Sequence, residues 1–315
     1  PEKDLRIIHI AGTNGKGSVS AFLRSVFECA GLKTGMFTSP HLVDFRERIQ
    51  VQGDMISKAD TTRLGNRLLS MDFGVYPTMF DYCLAMALLY FKEQQCDVVI
   101  LETGLGGTYD STNACGVPDV TVIAKIGFDH MAILGDTLAK IAAEKAGIIK
   151  HGTALVLESQ EKEAMDVLNK AAERADIKTT KVVNLDEIRI LPQKDGKQCF
   201  SYAGYDAVTM KMLGVHQYEN AVAAMLAAEL FFEKYFAGKK NVPELKALQH
   251  AIREGIDRTQ WMGRMELVSN DPFFLMDGAH NSNGVEALKK SLETMYPDEK
   301  FHFIMGVMKS EAKRS

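Results

Sequence analysis

Short apolar runs alternate with helical patterns along the first half of the chain. We predict buried β-strands at five such runs, residues 6–11, 34–38, 97–102, 119–125 and 153–158. Apolar positions recur at helical spacing between them, over 18–30, 57–71, 78–94 and 137–149. This alternation is typical of an α/β protein, so we expect a mostly parallel sheet that contains a P-loop and is flanked by helices.

The pattern changes in the second half. The apolar runs of residues 178–212 are short and are separated by Pro, Asp and Gly, which predicts a small antiparallel excursion. We predict helices near 217–236 and 243–254, followed by a break at "GIDRTQWMGR". A strand–loop–helix–strand series then begins at Met265. We therefore expect a central domain at 1–256, a linker at 257–263 and a second, smaller Rossmann-like α/β domain from 264 to 315.

Both ends of the sequence bear on this division. The first predicted strand begins almost at the first residue, and the last apolar run, "FHFIMGV", is followed only by "MKSEAKRS". A final strand without a following helix leaves a sheet incomplete. We therefore expect the second domain to be truncated here and the chain to belong to a longer one.

Composition indicates which kinds of binding partner to expect. The net charge is -4 and no basic tract is present, so we expect no nucleic-acid partner. No apolar run approaches the roughly 20 residues that span a bilayer, so we expect no membrane partner. The five cysteines are scattered without paired spacing, which is typical of reduced thiols and a cytoplasmic location.

The stretch "IIHIAGTNGKGSVSAF" combines a strand, a glycine loop, a lysine and a helix. Loop N–H groups and a helix N-terminus favour a phosphate, Lys16 would add charge, and Ser18 could face magnesium. The spacing departs from G-x-x-x-x-G-K-[ST], because Gly17 separates Lys16 from Ser18. The alternative is an ordinary glycine-rich turn with a solvated lysine.

Two more strands end in chemically active residues. Glu102 ends the strand of "VVILETGLGGTYDSTN", at the sheet edge where α/β proteins bind ligands, and a carboxylate there suits magnesium. The alternative is a carboxylate that caps a helix. Asp129 and His130 follow "VTVIAKIGF". On chemistry alone His130 suits zinc or manganese better than magnesium, and a structural histidine is an equal alternative.

A lysine and a second-domain loop complete the candidates. Ile141, Lys145 and Ile148 share one helical face, so Lys145 either extends to solvent or has a chemical use. In "FFLMDGAHNSNG", a strand leads to Asp277, a loop and a helix at 285–296. This second loop predicts a site that closes between two domains.

Together these motifs resemble the folylpolyglutamate synthase and dihydrofolate synthase family, within the Mur-type ATP-dependent amide ligases. The resemblance is carried, in family order, by "HIAGTNGKGS", "TSPHL", "RERI", "ETGLGGTYDSTN", "GFDH", "EKAGIIK", "GVHQYENA", "GR" and "DGAHN". "TSPHL" and "RERI" are similar to the folate branch rather than to the cell-wall ligases.

The resemblance implies a set of roles. ATP would be held by Thr13, Asn14, Gly15, Lys16, Gly17, Ser18, Asn220, Arg264, Asp277 and His280. Mg²⁺ would be bound, directly or through water, by Ser39, Glu102 and His130. Lys145 matches the family's carbamylated lysine, and with Lys16, Glu102 and His130 it makes up the implied catalytic group.

The implied reaction adds L-glutamate to a folate (tetrahydrofolate polyglutamylation), to dihydropteroate, or to both, through an acyl phosphate. The implied partners are small molecules, namely ATP, L-glutamate and the folate or dihydropteroate, and we expect a monomer. Three alternatives stay open: a Mur-type ligase of a different carboxylate, a P-loop NTPase or phosphotransferase, and a non-catalytic nucleotide-binding protein.

Overall fold

The computed structural model describes residues 2–239 and 242–306. Its centre is an eight-stranded sheet in the spatial order β4-β3-β2-β5-β1-β6-β7-β8. In chain order the strands are β1 (Ile7–Ala11), β2 (Thr34–Phe37), β3 (Ile49–Val51), β4 (Asp54–Met55), β5 (Val98–Glu102), β6 (Val120–Ile123), β7 (Ala154–Leu157) and β8 (Thr180–Val182). All neighbouring pairs from β2 to β8 are parallel, which confirms the predicted class.

The five predicted strands are all present in this sheet, each shortened by a residue or more. Three further strands were not predicted. β3 and β4 form an antiparallel edge, and β8 lies within the segment predicted to be an antiparallel excursion but pairs in parallel with β7. Each of the three has at most three residues, and those of β4 and β8 are exposed, so they lack the buried apolar signal of a central strand.

Nine helices are present in the described residues. They are α1 (Lys16–Cys29), α2 (Lys58–Leu69), α3 (Met79–Glu93), α4 (Met131–Leu134), α5 (Leu138–Ala146), α6 (Lys162–Arg174), α7 (Gln217–Phe236), α8 (Leu245–Arg258) and α9 (Ser282–Met295). Helix α1 begins two residues before its predicted start, directly after the glycine loop. Helices α4 and α6 were not predicted. Helix α6 buries only Ala164 and Leu168, so its apolar stripe is narrow.

The sheet is covered on both faces. Ile8 and Ile10 of β1 pack in one cluster with α1, α7 and α8, whereas Ile7 belongs to a cluster with α2 and α3 on the opposite face. A third cluster joins β6 and β7 to α5 and α6. Because side chains alternate across a strand and both faces are covered, every position of β1 is buried, and this explains why four of its five residues are apolar.

The predicted antiparallel excursion is confirmed for β9 (Arg189–Lys194), β10 (Lys197–Tyr202) and β11 (Tyr205–Met210). After the predicted linker, β12 (Glu266–Asn270) and β13 (Phe273–Met276) form an antiparallel hairpin that leads to α9. The strand predicted at the last apolar run is wrong for residues 301–306, because they have no strand to pair with among the described residues. Residue 307 lies outside those residues.

No helix of the described ranges combines the length and the apolar character needed to cross a membrane.

Close packing of α1 against α8 gives the first prediction. A Cβ at Gly255 would lie 2.6 Å from the backbone nitrogen of Val26, so Gly255→Ala should lower the free energy of unfolding by about 1–3 kcal/mol. Urea denaturation measures this. The matched control is Gly65→Ala on α2, where the nearest atom is Met86 Cε at 3.6 Å. We expect it to be neutral or to stabilise by up to about 1 kcal/mol. Equal effects of the two substitutions would contradict the packing argument.

Candidate active site

The glycine loop lies between β1 and α1, at the carboxyl edge of the sheet. Gly15 has φ +87° and immediately precedes α1, and a Cβ there would collide with the Asn220 amide oxygen. A Cβ at Gly17 would lie 2.9 Å from Trp261 Nε1. The glycine that makes the spacing irregular is therefore required by a tryptophan far along the chain, which no local sequence pattern indicated.

The loop is tied to its surroundings by side chains. Thr13 Oγ1 accepts from the Gly127 N–H and donates to the Gly127 carbonyl, both at 3.0 Å. Ser18 is buried in the first turn of α1, where its Oγ accepts from Gln217 Nε2 at 3.3 Å. Asn220 donates to Gln217 Oε1 at 2.9 Å. The side-chain amide of Gln217 thus links Ser18 and Asn220 beside the glycine loop.

Two lysines converge on the carbonyl oxygen of Gly12. Lys16 Nζ donates to it at 3.0 Å and to the Thr13 carbonyl at 3.3 Å, and Lys145 Nζ donates to it at 2.9 Å. Lys145 is only 3% exposed, so it does not extend to solvent. Burial first, and the positive charge of Lys16 second, lower the pKa of Lys145 to about 7.

The helical face predicted around Lys145 needs a correction. Helix α5 ends at Ala146, so Ile148 follows the helix and does not share its face. Ile148 is nevertheless fully buried in the same cluster as Ile141. The prediction placed Lys145 correctly in an apolar setting, although the helix is shorter than the spacing suggested.

Glu102 ends β5 and is 4% exposed. Its Oε2 accepts from the backbone N–H of Ser39 at 3.1 Å, so the predicted pair of Ser39 and Glu102 is in direct contact. Within the described residues, Glu102 makes this contact with the loop at Ser39 and does not cap a helix. Burial raises the pKa of Glu102, while the positive charges of Lys16, Arg264 and Arg48 act in the opposite direction.

His130 occupies a different kind of position. It has φ 47° and precedes α4, its side chain is 56% exposed, and its Nε2 lies 3.8 Å from Asp129 Oδ1. It makes no hydrogen bond to Ser39 or Glu102 in the part of the chain that the structure describes. That part also contains no group of three or more His, Cys, Asp or Glu side chains arranged to hold a metal ion.

The residues predicted in the second domain shape one loop. Asp277 Oδ2 accepts from the Met265 N–H and Oδ1 from the Ala279 N–H, both at 2.8 Å. Arg264 Nη1 donates to the carbonyl of Gly263 at 3.0 Å. Asp277 therefore fixes the backbone directly after Arg264 and the start of the loop that carries His280.

Asn281 is a contact residue that sequence reasoning missed. Its Nδ2 donates to Asn14 Oδ1 and to Asp129 Oδ2, both at 3.1 Å, and its Oδ1 caps α9 by accepting from Gly284 N. His280 Nε2 lies 3.8 Å from Asp129 Oδ2. The phosphate loop, the Asp129 loop and the second domain thus meet at Asn281. The available signal was an Asn just before a predicted helix, which is typical of an N-cap.

A cavity of about 620 Å³ lies beside Ser39. Its walls include Arg48, Phe80, Tyr109 and Asp110. Asp110 Oδ2 accepts from the N–H groups of Gly104 at 2.9 Å and Leu105 at 2.8 Å, which holds the "GLGG" loop in place as one wall. The cavity therefore offers aromatic surface and charge next to the Ser39–Glu102 pair.

The fold and the site define an α/β protein in which the glycine loop between β1 and α1, in the position of a phosphate loop, contacts a second domain. The Mur ligase middle domain model matches residues 10–228, and the model of the Mur ligase glutamate ligase domain matches residues 263–315. The dihydrofolate synthase/folylpolyglutamate synthase of Bacillus subtilis is 39% identical over 99% of this chain and 73% of its own length. The chain belongs to the family of folylpolyglutamate and dihydrofolate synthases.

Other relatives agree. A folylpolyglutamate synthase of Arabidopsis thaliana is 36% identical over 91% of this chain, which spans only 50% of that protein. Among solved structures, an FPGS–AMPPCP complex has a TM-score of 0.82 and 29% identity, covering 94% of this chain and 74% of that one. The Mycobacterium tuberculosis enzyme complexed with ADP and AMPPCP has a TM-score of 0.80 and 32% identity, covering 93% and 67%.

The contact between His280 and Asp129 gives a prediction. Asp129 raises the pKa of His280, and His280 holds the pKa of Asp129 well below its usual range. A raised histidine pKa stabilises the folded protein fully below the unfolded value of about 6.5, and this contribution is lost as pH rises through the raised value. Asp129→Asn should therefore lower the pKa of His280, as measured by histidine NMR.

The exposed His250 on α8 serves as the internal reference for this measurement. Titration of His280 at the same pH in both proteins would show that the ion pair does not form in solution.

Proposed function

We propose that the protein joins L-glutamate to a folate, to dihydropteroate, or to both, with ATP as the energy source and an acyl phosphate as the intermediate. The observation that carries this proposal is the convergence of two lysines and a buried carboxylate on a phosphate loop beside a substrate-sized cavity. Family membership supports the same reaction class.

The loop fits the phosphates of ATP. Gly15 in the left-handed region directly precedes α1, whose N-terminus offers backbone N–H groups to an anion, and Lys16 adds a positive charge. Thr13, Asn14 and Gly17 complete the loop, while Asn220 approaches it from α7. From the second domain, Arg264, Asp277 and His280 would reach the nucleotide. Related structures hold AMPPCP or ADP.

The donor set beside the loop fits magnesium. The carboxylate of Glu102 and the hydroxyl of Ser39 are hard oxygen ligands, and phosphate oxygens and water would complete the shell. His130 is exposed and would reach the ion through water. When bound, magnesium would neutralise charge on the transferred phosphoryl group.

Lys145 has the properties that a lysine carbamate requires. A pKa of about 7 leaves much of the amine neutral at physiological pH. The neutral Nζ can attack carbon dioxide, forming a C–N bond and releasing one proton, which gives an anionic carbamate. That anion would sit beside Lys16, so the repulsion between two neighbouring cations would be replaced by attraction.

The cavity fits the acceptor. Phe80 and Tyr109 offer ring surfaces to an aromatic group, and Arg48 offers charge to a carboxylate. The cavity is bounded by Ser39, so an acceptor carboxylate at that end would face the phosphate loop. One related structure is titled an FPGS–AMPPCP–folate complex.

The reaction then follows in two steps. An acceptor carboxylate oxygen attacks the γ-phosphorus, and the bond to ADP breaks. The α-amino group of glutamate attacks the acyl carbonyl, phosphate leaves with the acceptor oxygen, and the ammonium loses its proton. Lys16 and Arg264 would stabilise charge on the phosphoryl group, while contact between the domains would exclude water. All of these residues come from one chain, and we infer that a monomer is active.

Release of ADP by the full-length protein tests the proposal. ADP should form only when glutamate and an acceptor are both present, with dihydropteroate and tetrahydrofolate assayed separately. Turnover with neither acceptor would refute the assignment. Activity with another carboxylate would favour a different Mur-type ligase, and hydrolysis without any acceptor would favour a P-loop NTPase.

Substitution of Lys145 gives a second prediction. Lys145→Ala and Lys145→Arg should both lower kcat by about 100-fold or more, because neither residue supplies the anion. A carbamate carbon signal from ¹³C-labelled carbon dioxide should be lost in both. The matched control is Lys140→Ala, an exposed lysine on the same helix that pairs with Asp136. Full activity of Lys145→Ala would instead fit a non-catalytic nucleotide-binding protein.

A further inference from the structure

A second cluster of charged groups, one buried and two half-buried, lies behind the phosphate loop, where β6 and β7 end. Glu158 directly follows β7 and is 1% exposed. Glu219 lies in the first turn of α7, and Lys125 follows β6. None of these three side chains has a part in the reaction described above.

The polar contacts of the cluster leave one oxygen without a partner. Lys125 Nζ donates to the Ser159 carbonyl at 2.7 Å, and the Ser159 N–H donates to Glu219 Oε1 at 2.7 Å. The backbone N–H of Lys125 donates to the carboxyl of Glu158. Within the described residues, however, the buried Oε1 of Glu158 has no hydrogen-bond partner. A buried carboxylate oxygen in that position is costly unless it carries a proton.

Charge balance also favours a proton. The charged groups that face Glu158 are Glu219 from α7 and Lys125 from the loop after β6, so the cluster contains two carboxyl groups and one ammonium. Burial, and then the charge of Glu219, raise the pKa of Glu158 well above its ordinary value. One proton on the pair makes the cluster neutral and turns the unpartnered oxygen into a donor.

The cluster is connected to the phosphate loop through the backbone. The carbonyl of Lys125 accepts from the N–H groups of Thr13 at 2.8 Å and Asn14 at 3.1 Å. Gln160 holds the same segment, because it accepts from the Ile126 N–H at 2.9 Å and donates to the Ala124 carbonyl at 3.1 Å. Glu219 also immediately precedes Asn220, which approaches Gly15.

We propose that Glu158 is kept as a neutral carboxylic acid that shares one proton with Glu219, and that this pair positions the phosphate loop through Lys125. Glu158 and Glu219 are then positioning residues, because they touch neither nucleotide nor acceptor. The inference rests on the proposal that the loop binds ATP.

Loss of the shared proton has a defined consequence. The cluster would then carry two negative charges against one positive charge, and the segment that anchors the loop would be displaced. Because the folded protein holds a proton that the unfolded chain releases above about pH 4.3, stability should fall as pH rises toward the raised pKa of Glu158. The KM for ATP should increase as pH rises, with a smaller change in kcat.

Three variants test the proposal: Glu158→Gln, Glu158→Ala and the control Glu173→Gln, an exposed glutamate on α6. We would measure the Kd of ADP by calorimetry, and the KM for ATP, from about pH 6 to about pH 9, above the ordinary glutamate pKa. In Glu158→Gln, the Kd of ADP and the KM for ATP should stay within about twofold of the parent values at neutral pH. The rise of the KM at alkaline pH should be absent. Glu158→Ala should weaken ADP binding about tenfold or more, equivalent to about 1.4 kcal/mol.

Infrared difference spectroscopy gives a readout that is independent of activity. The parent and Glu173→Gln should show a protonated carboxylic acid band in the neutral range, and Glu158→Gln should lack it. The thermal unfolding midpoint shows whether Glu158→Ala is folded at the assay temperature. If it is unfolded, the ADP binding and the infrared spectrum of Glu158→Gln test the proposal.

The proposal would be overturned by the absence of this band in the parent, or by a Glu158→Gln variant that binds ADP as weakly as Glu158→Ala. Parent-like binding by a folded Glu158→Ala would do the same. Failure of the parent to bind ADP would instead refute the proposed function, while the infrared band would still test the shared proton.

Discussion

The carbonyl oxygen of Gly12 accepts hydrogen bonds from the ammonium groups of both Lys16 and Lys145. Two cations on one oxygen in a buried setting repel each other, and this repulsion contributes to the lowered pKa of Lys145. The arrangement becomes favourable when anions are added, either phosphates beside Lys16 or a carbamate on Lys145. An anion beside these two lysines, as we propose, would relieve their repulsion.

The same loop constrains distant parts of the chain. Gly15 must lack a side chain because Asn220 of α7 approaches it, and Gly17 because Trp261 does. Asn281 then joins Asn14 to the second domain. Residues separated by more than 200 positions thus pack against one short loop. This explains why the loop departs from the common P-loop spacing: its glycines serve the packing of neighbours as well as access to phosphate.

The sequence predicted the parts of the fold that are buried on both sides. Strands β1, β5 and β6 read as continuous apolar runs because helices cover both faces of the sheet. Short or exposed elements such as β4, β8 and α6 bury too few side chains to produce a pattern.

Local sequence placed Lys16, Glu102 and Asp277 at or just beyond the ends of strands, and the structure has them there, while their roles in the site stay predictions. It could not reveal Trp261 or Asn281, because their roles depend on contacts made only after folding. The buried pair of Glu158 and Glu219 likewise arises from two segments 61 positions apart that meet only in the folded sheet.

The central claim is that an acceptor carboxylate is activated by phosphorylation. The most direct measurement uses an acceptor whose reacting carboxylate carries ¹⁸O, followed by mass analysis of the phosphate released during amide formation. The account predicts that each phosphate contains one oxygen from the acceptor, because that oxygen bridges carbon and phosphorus in the acyl phosphate. Phosphate without label, released together with the amide product, would contradict it.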